Sequence, residues 1–154
     1  MKKTRVLLLA VVSTLALAAC TDDPPADKIA GSFNCNAVLY TRFQRGGEWH
    51  DTTYVHRTNN RVVLSKVDDN TVSVNITSNK YGSITADVAT VSDFNYSGNF
   101  SGNATYNSPN GTFDVKVSGT VTYDPRGITA SIRVPGYPSS GGKYVLTFTT
   151  SDTW

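Results

Sequence analysis

Cysteine is nearly absent from the 154 residues: Cys20 and Cys35 are the only two. At most one disulfide could form, so a disulfide-stapled scaffold is excluded. Histidine is as rare, with His50 and His56 alone. If they share a strand, six residues at ~3.3 Å each put them about 20 Å apart, too far to ligate one metal ion through ~2 Å bonds. No window of ten or more residues keeps helical spacing, and no Gly-x-Ser-x-Gly elbow or glycine-rich phosphate loop before a helix occurs. Nucleophilic and phosphate-binding chemistry therefore lack a motif. Long apolar runs are also missing. The longest, Val6 to Ala19, is about 14 residues against the ~20 that span a bilayer as a helix.

That run has a recognisable setting. Lys2, Lys3 and Arg5 precede it and small residues close it, which is the layout of an export signal. Leu17-Ala18-Ala19-Cys20 resembles the lipobox of bacterial lipoproteins, in which the cysteine is lipidated and becomes the first mature residue. An incidental cysteine beside an ordinary cleavage site is the other reading. The expected organisation is a signal peptide over 1–19, a lipidated Cys20 with a flexible tether over 20–28, and one domain over 29–154. Thr21 to Lys28, rich in acid and proline, offers little to bury and reads as a spacer. A cysteine followed by a short acidic run also resembles the surface-export signal of lipoproteins from the Bacteroides group. The implied partner is an outer membrane reached through lipid, with the leaflet left open.

Loss of the signal removes three cations, leaving 11 Lys and Arg against 12 Asp and Glu, a formal charge of −1. A near-neutral domain has no electrostatic footprint for nucleic acid. With Cys20 carrying lipid, Cys35 has no partner for an internal disulfide.

From Ile29 onward about 125 residues suit a single domain. Their apolar period is two. Val72, Val74 and Ile76 alternate with polar residues, as do Phe113, Val115 and Val117; Ile128, Ala130, Ile132 and Val134; and Tyr144, Leu146 and Phe148. Candidate turns fall between such runs, at Arg45-Gly46-Gly47, Asn59-Asn60, Asp68-Asp69-Asn70, Asn79 to Gly82, Ser108 to Gly111 and Asp124 to Gly127. An all-β fold follows, with eight or nine short strands. Local links favour an antiparallel up-and-down barrel of about eight strands. The long polar stretch Pro135 to Lys143 keeps a two-sheet sandwich as the alternative.

Ile29-Ala30-Gly31-Ser32-Phe33 looks like the glycine-plus-aromatic first strand of calycin-type barrels such as the lipocalins. Val63 to Val74, Gly82 to Val88, Val117 to Thr122, Ile128 to Ile132 and Tyr144 to Thr149 are similar, in order, to calycin-like lipoproteins of the Bacteroides group. The chain departs from that pattern in a long second strand and in the glycine-rich Tyr96 to Tyr106. The resemblance implies a small barrel and no assigned chemistry.

Few residues invite a functional reading. Cys35 shares parity with Phe33, Ala37 and Leu39 and reads as a packed thiol. Asp51 adjoins His50 but points to the opposite face. Phe94, Tyr96, Phe100 and Tyr106 lie among Gly98, Gly102 and several asparagines, and flat rings beside amides suit a sugar or peptide surface. The same four rings share even parity and would equally fill a barrel, with the glycines as bulges or bends. Trp49 and Tyr137 are further candidates for exposed contact, Tyr137 in a loop rich in proline and glycine. The candidate ligand-binding set is therefore Trp49, Tyr96, Phe100 and Tyr137. Asp51-Thr52-Thr53 also looks like a short acceptor pattern for O-glycosylation.

The expected function is non-catalytic, with no metal and no cofactor: a barrel that binds an apolar small molecule or a glycan at its mouth. The alternative is a filled barrel that grips a protein partner, as an inhibitor or accessory subunit would. Interior volume separates the two, because an eight-stranded barrel is just wide enough to be filled or to hold one small ligand.

Overall fold

The computed structural model describes residues 22–137 and 141–150. Cys20 and the expected signal at 1–19 lie outside the described residues. A short helix, α1 (Pro25–Ile29), precedes nine strands. They are β1 (Gly31–Arg45), β2 (Glu48–His56), β3 (Asn60–Asp68), β4 (Thr71–Ser78), β5 (Gly82–Phe94), β6 (Ser97–Ser108), β7 (Gly111–Tyr123), β8 (Arg126–Arg133) and β9 (Lys143–Thr150).

β1 and β3 through β9 run in sequence order and close into an antiparallel eight-stranded barrel when β9 pairs with β1 along Cys35–Arg42. The expected barrel is the observed one. The sandwich is not adopted, because the Pro135 to Lys143 stretch joins two directly paired strands, with Thr129 opposite Thr149. β1 is long enough to serve three partners. Gly31–Asn34 pair with β3 and Ala37–Arg45 with β2. The strands β2 and β3 therefore lie end to end along one edge of β1, separated at 57–59, where Asn59 takes φ 57°. β2 rises beyond the cylinder as a ninth strand paired only with β1 among the described residues.

Alternation decides what fills the barrel. Leu64, Ile76, Ile84, Phe100, Tyr106, Ile132, Leu146 and Phe148 are buried, each contributing about 1.5–3 kcal/mol by leaving water. Ser, Thr, Asn and Asp occupy much of the outer wall, the inverse of a membrane-spanning barrel, whose apolar face looks outward. No helix among the described residues is long and apolar enough to cross a membrane. Val67 and Val88 break the pattern, both more than half exposed. Register shifts between Lys66 and Asp68 and between Thr85 and Thr90 explain them, since a bulged residue leaves the alternation. Gly102 sits where a Cβ would lie 2.6 Å from the Val88 carbonyl oxygen, so the β5 bulge can press onto β6 only there.

One end of the barrel is closed by α1. Five residues cannot hold a helix alone, and tertiary contacts hold this one. Ala26 and Ile29 are fully buried, and the Ala26 N–H donates to the Asp69 carbonyl at 3.1 Å. Lys28 Nζ lies 2.7 Å from Asp93, and Lys66 Nζ lies 2.7 Å from Asp27. The Arg126 guanidinium donates to the Lys28 and Ala30 carbonyls at 3.0 and 2.8 Å. Opposite the helix stands Gly98, where a Cβ would come within 2.4 Å of Ile29 Cγ2. The spacer read into residues 20–28 is accordingly shorter in the structure: Pro25 to Lys28 belong to the domain. The apolar signal, Ala26 with Ile29, is too brief to register as a period.

The Asp93 carboxyl is held below the usual carboxylate range, first by the Lys28 hydrogen bond and then by Tyr123, whose hydroxyl donates to it. A depressed carboxyl stabilises the fold above its unfolded value and loses that contribution as pH falls through its folded one. Asp93→Asn is therefore expected to lower the urea midpoint at pH 7 and to converge with the unaltered protein in strong acid. Gly98→Ala should cost about 1–3 kcal/mol at either pH, because it overpacks the helix seat.

Candidate functional site at the open end of the barrel

The other end is open. β1 and β2 project above it as a hairpin, and the β4–β5, β6–β7 and β8–β9 links surround it. Inside this rim lies a cleft of about 610 Å³ lined by Leu39, Thr41, Phe43, Gln44, Lys80, Tyr81, Pro109, Asn110, Tyr137 and Tyr144. The lining is mostly apolar. Among the described residues Lys80 is its one charged member, and no carboxylate lines it.

Below the cleft four rings form a closed circuit. Centroids are 6.1 Å apart for Tyr106 and Phe113, 5.5 Å for Phe113 and Tyr137, 5.3 Å for Tyr137 and Tyr144, and 6.3 Å for Tyr144 and Tyr106. Tilted and edge-on pairs at such distances are favourable beyond their buried area. The Tyr106 and Tyr144 hydroxyls share a hydrogen bond of 3.1 Å, and burial raises the pKa of both phenols. Asn110 Nδ2 donates to the Tyr137 hydroxyl at 3.0 Å, which ties Tyr137 to the β6–β7 turn. The hydroxyl of Tyr81 is buried and has no hydrogen-bond partner among the described residues. Burial also raises its pKa, so it stays a neutral donor.

Asn60 sets the position of Tyr81. It stands at the start of β3, where β2 leaves the cylinder, and it is 3% exposed. Its Nδ2 donates to the carbonyls of Cys35 at 3.2 Å and His56 at 2.8 Å. Its Oδ1 accepts from Ser78 Oγ at 2.7 Å, and that oxygen accepts from the Tyr81 N–H at 3.2 Å. Asn60 and Ser78 are the only buried polar residues among those described. A chain of four bonds thus ties the strand break to the rim.

The residues expected to bind ligand are placed far apart. Tyr137 lines the cleft. Trp49 lies on the outer face of β2, opposite Gln44, with the Arg42 guanidinium 5.0 Å from its ring. Phe100 is packed inside the barrel, 2% exposed, and Tyr96 projects from the β5–β6 turn at the closed end, 84% exposed. Of the four even-parity rings, Phe100 and Tyr106 fill the barrel while Phe94 and Tyr96 do not, because the turn at Asn95 and Tyr96 resets the alternation. His50 stacks on Phe43 and His56 meets Tyr81 edge-on, both on the inner side of the hairpin. Cys35 is buried, and loss of solvation pushes its thiol up to about 11.

Sequence reasoning did not single out Leu39, Phe43, Lys80, Tyr81 or Tyr144 for the site. Tyr81 sits in a link recognised as a turn and Tyr144 in a strand recognised as core. Their convergence requires barrel closure, which no local pattern carries. Three other depressions, of about 570, 430 and 450 Å³, lie along the wall among short polar side chains such as Thr85, Asn103, Ser118 and Thr129. They lack the converging rings of the mouth. Among the described residues no group of three His, Cys, Asp or Glu side chains is placed to hold a metal ion.

Comparison of the chain with protein-family models, with curated proteins and with solved structures finds no match.

Asn60→Ala removes three hydrogen bonds and strands the buried Ser78 hydroxyl and the Cys35 carbonyl. It is expected to cost about 1–3 kcal/mol, read by urea unfolding, and to speed amide exchange at Tyr81 more than in β6 and β7.

Proposed function

We propose that this chain is a lipid-anchored, non-catalytic barrel of the bacterial cell envelope that holds a small, largely apolar ligand at its open end. One observation carries the reading: an apolar cleft of about 610 Å³ opens at one end of a barrel whose other end is stoppered. That volume lies within the ordinary range of small-molecule sites. The composition of the lining favours an apolar ligand over a glycan, because rings and aliphatic side chains predominate and each of its two amides has one N–H already directed to the protein. Gln44 Nε2 donates to Gly47, and Asn110 Nδ2 donates to Tyr137. Support for the anchor is the Leu17-Ala18-Ala19-Cys20 pattern behind a short apolar run, and an outer-membrane location accords with it.

A second reading draws on β2. Among the described residues its far edge is unpaired over Glu48–His56, and nine residues of open backbone are a template onto which a partner's strand can add. On that reading the barrel presents a protein interface and the cleft is secondary.

Native mass spectrometry of the mature protein from its own cells separates the two. The expected result is a bound small molecule that Leu39→Arg abolishes while circular dichroism still reports the folded barrel, Leu39 being a partly buried residue of the cleft wall. A stoichiometric protein partner, retained equally by Leu39→Arg and with no small molecule present, would overturn the ligand reading.

A further inference from the structure

The exposed large apolar side chains of the described residues fall into two groups at opposite ends, apart from Val88 on the wall. Trp49, Tyr54 and Val55 belong to the hairpin above the mouth. Val67, Phe94 and Tyr96 belong to the closed end, 52%, 56% and 84% exposed. The second group serves no packing need: α1 is seated on Ala26 and Ile29, and Phe94 and Tyr96 stand outside that seat. Their turn is nonetheless held rigidly. The Tyr96 carbonyl accepts from the Tyr123 N–H at 3.1 Å, and Asp93, beside Phe94, is bound by Lys28 and Tyr123.

The path of the chain says what lies against this end. The described residues begin at Asp22, next to α1. Asp22 and Asp23 lie close enough to Lys28 to raise its pKa, after the larger effect of Asp93. Only Thr21 separates Cys20 from Asp22, and two steps of extended chain reach no more than about 7 Å. A lipid on Cys20 therefore holds the closed end at the bilayer surface. The mouth stands at the far ends of the strands, roughly 30 Å away for twelve-residue strands tilted as in small barrels.

We infer that the closed end is a membrane-contact face, in which Phe94 and Tyr96 of the β5–β6 turn enter the headgroup region of the bilayer that carries the Cys20 lipid, so that the mouth opens away from the membrane. The inference rests on the lipid anchor proposed above. Aromatic rings with an apolar body and a polar tip suit this interface, Tyr above all. Charge does not supply the attraction. Lys28 and Lys66 are spent on Asp93 and Asp27, and Asp22 and Asp23 add acid on the same side. Contact should therefore persist in high salt and on uncharged lipid. One lipid chain set with two interfacial rings also fixes orientation, which a flexible tether alone would leave free. A ligand would then reach the mouth from the aqueous side and not from the bilayer.

The test uses the full-length protein, processed in its own cells and placed in phosphatidylcholine vesicles. Nitroxide is attached at Asn95→Cys, in the exposed turn between the two rings, or at Glu48→Cys, at the hairpin tip; Cys35 is buried and Cys20 acylated, so neither takes label. Flotation with the vesicles, lost in Cys20→Ala, reports the anchor. Collision with oxygen and with a water-soluble nickel complex reports the face. The expected result is a several-fold loss of nickel accessibility at position 95 on vesicles, none at 48, and its recovery when Phe94→Ser and Tyr96→Ser are added. If the protein floats but position 95 stays as accessible to nickel as position 48, the contact face is overturned and the anchor stands. If the unaltered protein does not float, both are overturned.

Discussion

The buried Asn60 side chain is the contact on which the shape of this barrel turns. β1 is longer than the cylinder it helps to close, so the strand beside it must leave the wall part-way up. It does so between His56 and Asn60, where backbone carbonyls lose their ladder partners inside the protein. Asn60 supplies the missing donors to Cys35 and His56 and takes one bond from Ser78. An unpaired buried carbonyl costs about 1–3 kcal/mol, more than a hydrogen bond returns, so an amide at this position lowers the cost of a strand break that an apolar residue would leave unsatisfied. The break in turn frees β2 to stand above the rim and gives the cleft its tall side wall.

The two ends of the molecule have opposite solutions to the same problem. At the closed end a single helical turn covers the core, and Gly98 provides the depth for Ile29 to enter. At the open end the covering is a circuit of aromatic rings, Tyr106, Phe113, Tyr137 and Tyr144, which stops short of the rim and leaves the cleft above it. The lower barrel is a filled core and the upper barrel a cup. The choice between open and filled interiors thus has a divided answer, and the ligand reading depends on the upper half alone.

Much of the architecture was legible in residue order. The period-two runs at Val72–Ile76, Phe113–Val117, Ile128–Ile132 and Tyr144–Phe148 became strands, with Val134 just beyond the end of β8, and the Gly, Asn, Asp and Pro clusters became their turns. The β5–β6 turn escaped because Asn95-Tyr96 lies inside a stretch whose rings kept even spacing across it. The helix escaped because one turn with two buried residues leaves no period to detect. The candidate site was legible only at Tyr137, where a loop rich in proline and glycine drew attention to an aromatic ring. Tyr81 and Leu39 are 42 residues apart in sequence, and only barrel closure places them across one cleft. Trp49 and Tyr96, chosen for chemistry without position, lie on the outer hairpin face and at the opposite end.

A cup of aromatic and aliphatic walls above a stoppered base is what favours the mouth over the outer wall for the proposed ligand. An amide-resolved NMR titration with an apolar aromatic probe such as an anilinonaphthalene tests that assignment most directly. The expected result is saturable shifts at Leu39, Tyr81, Asn110, Tyr137 and Tyr144, with Ile29, Gly98 and Tyr123 unmoved. Shifts confined to the outer wall or to the closed end, with the mouth silent, would contradict it.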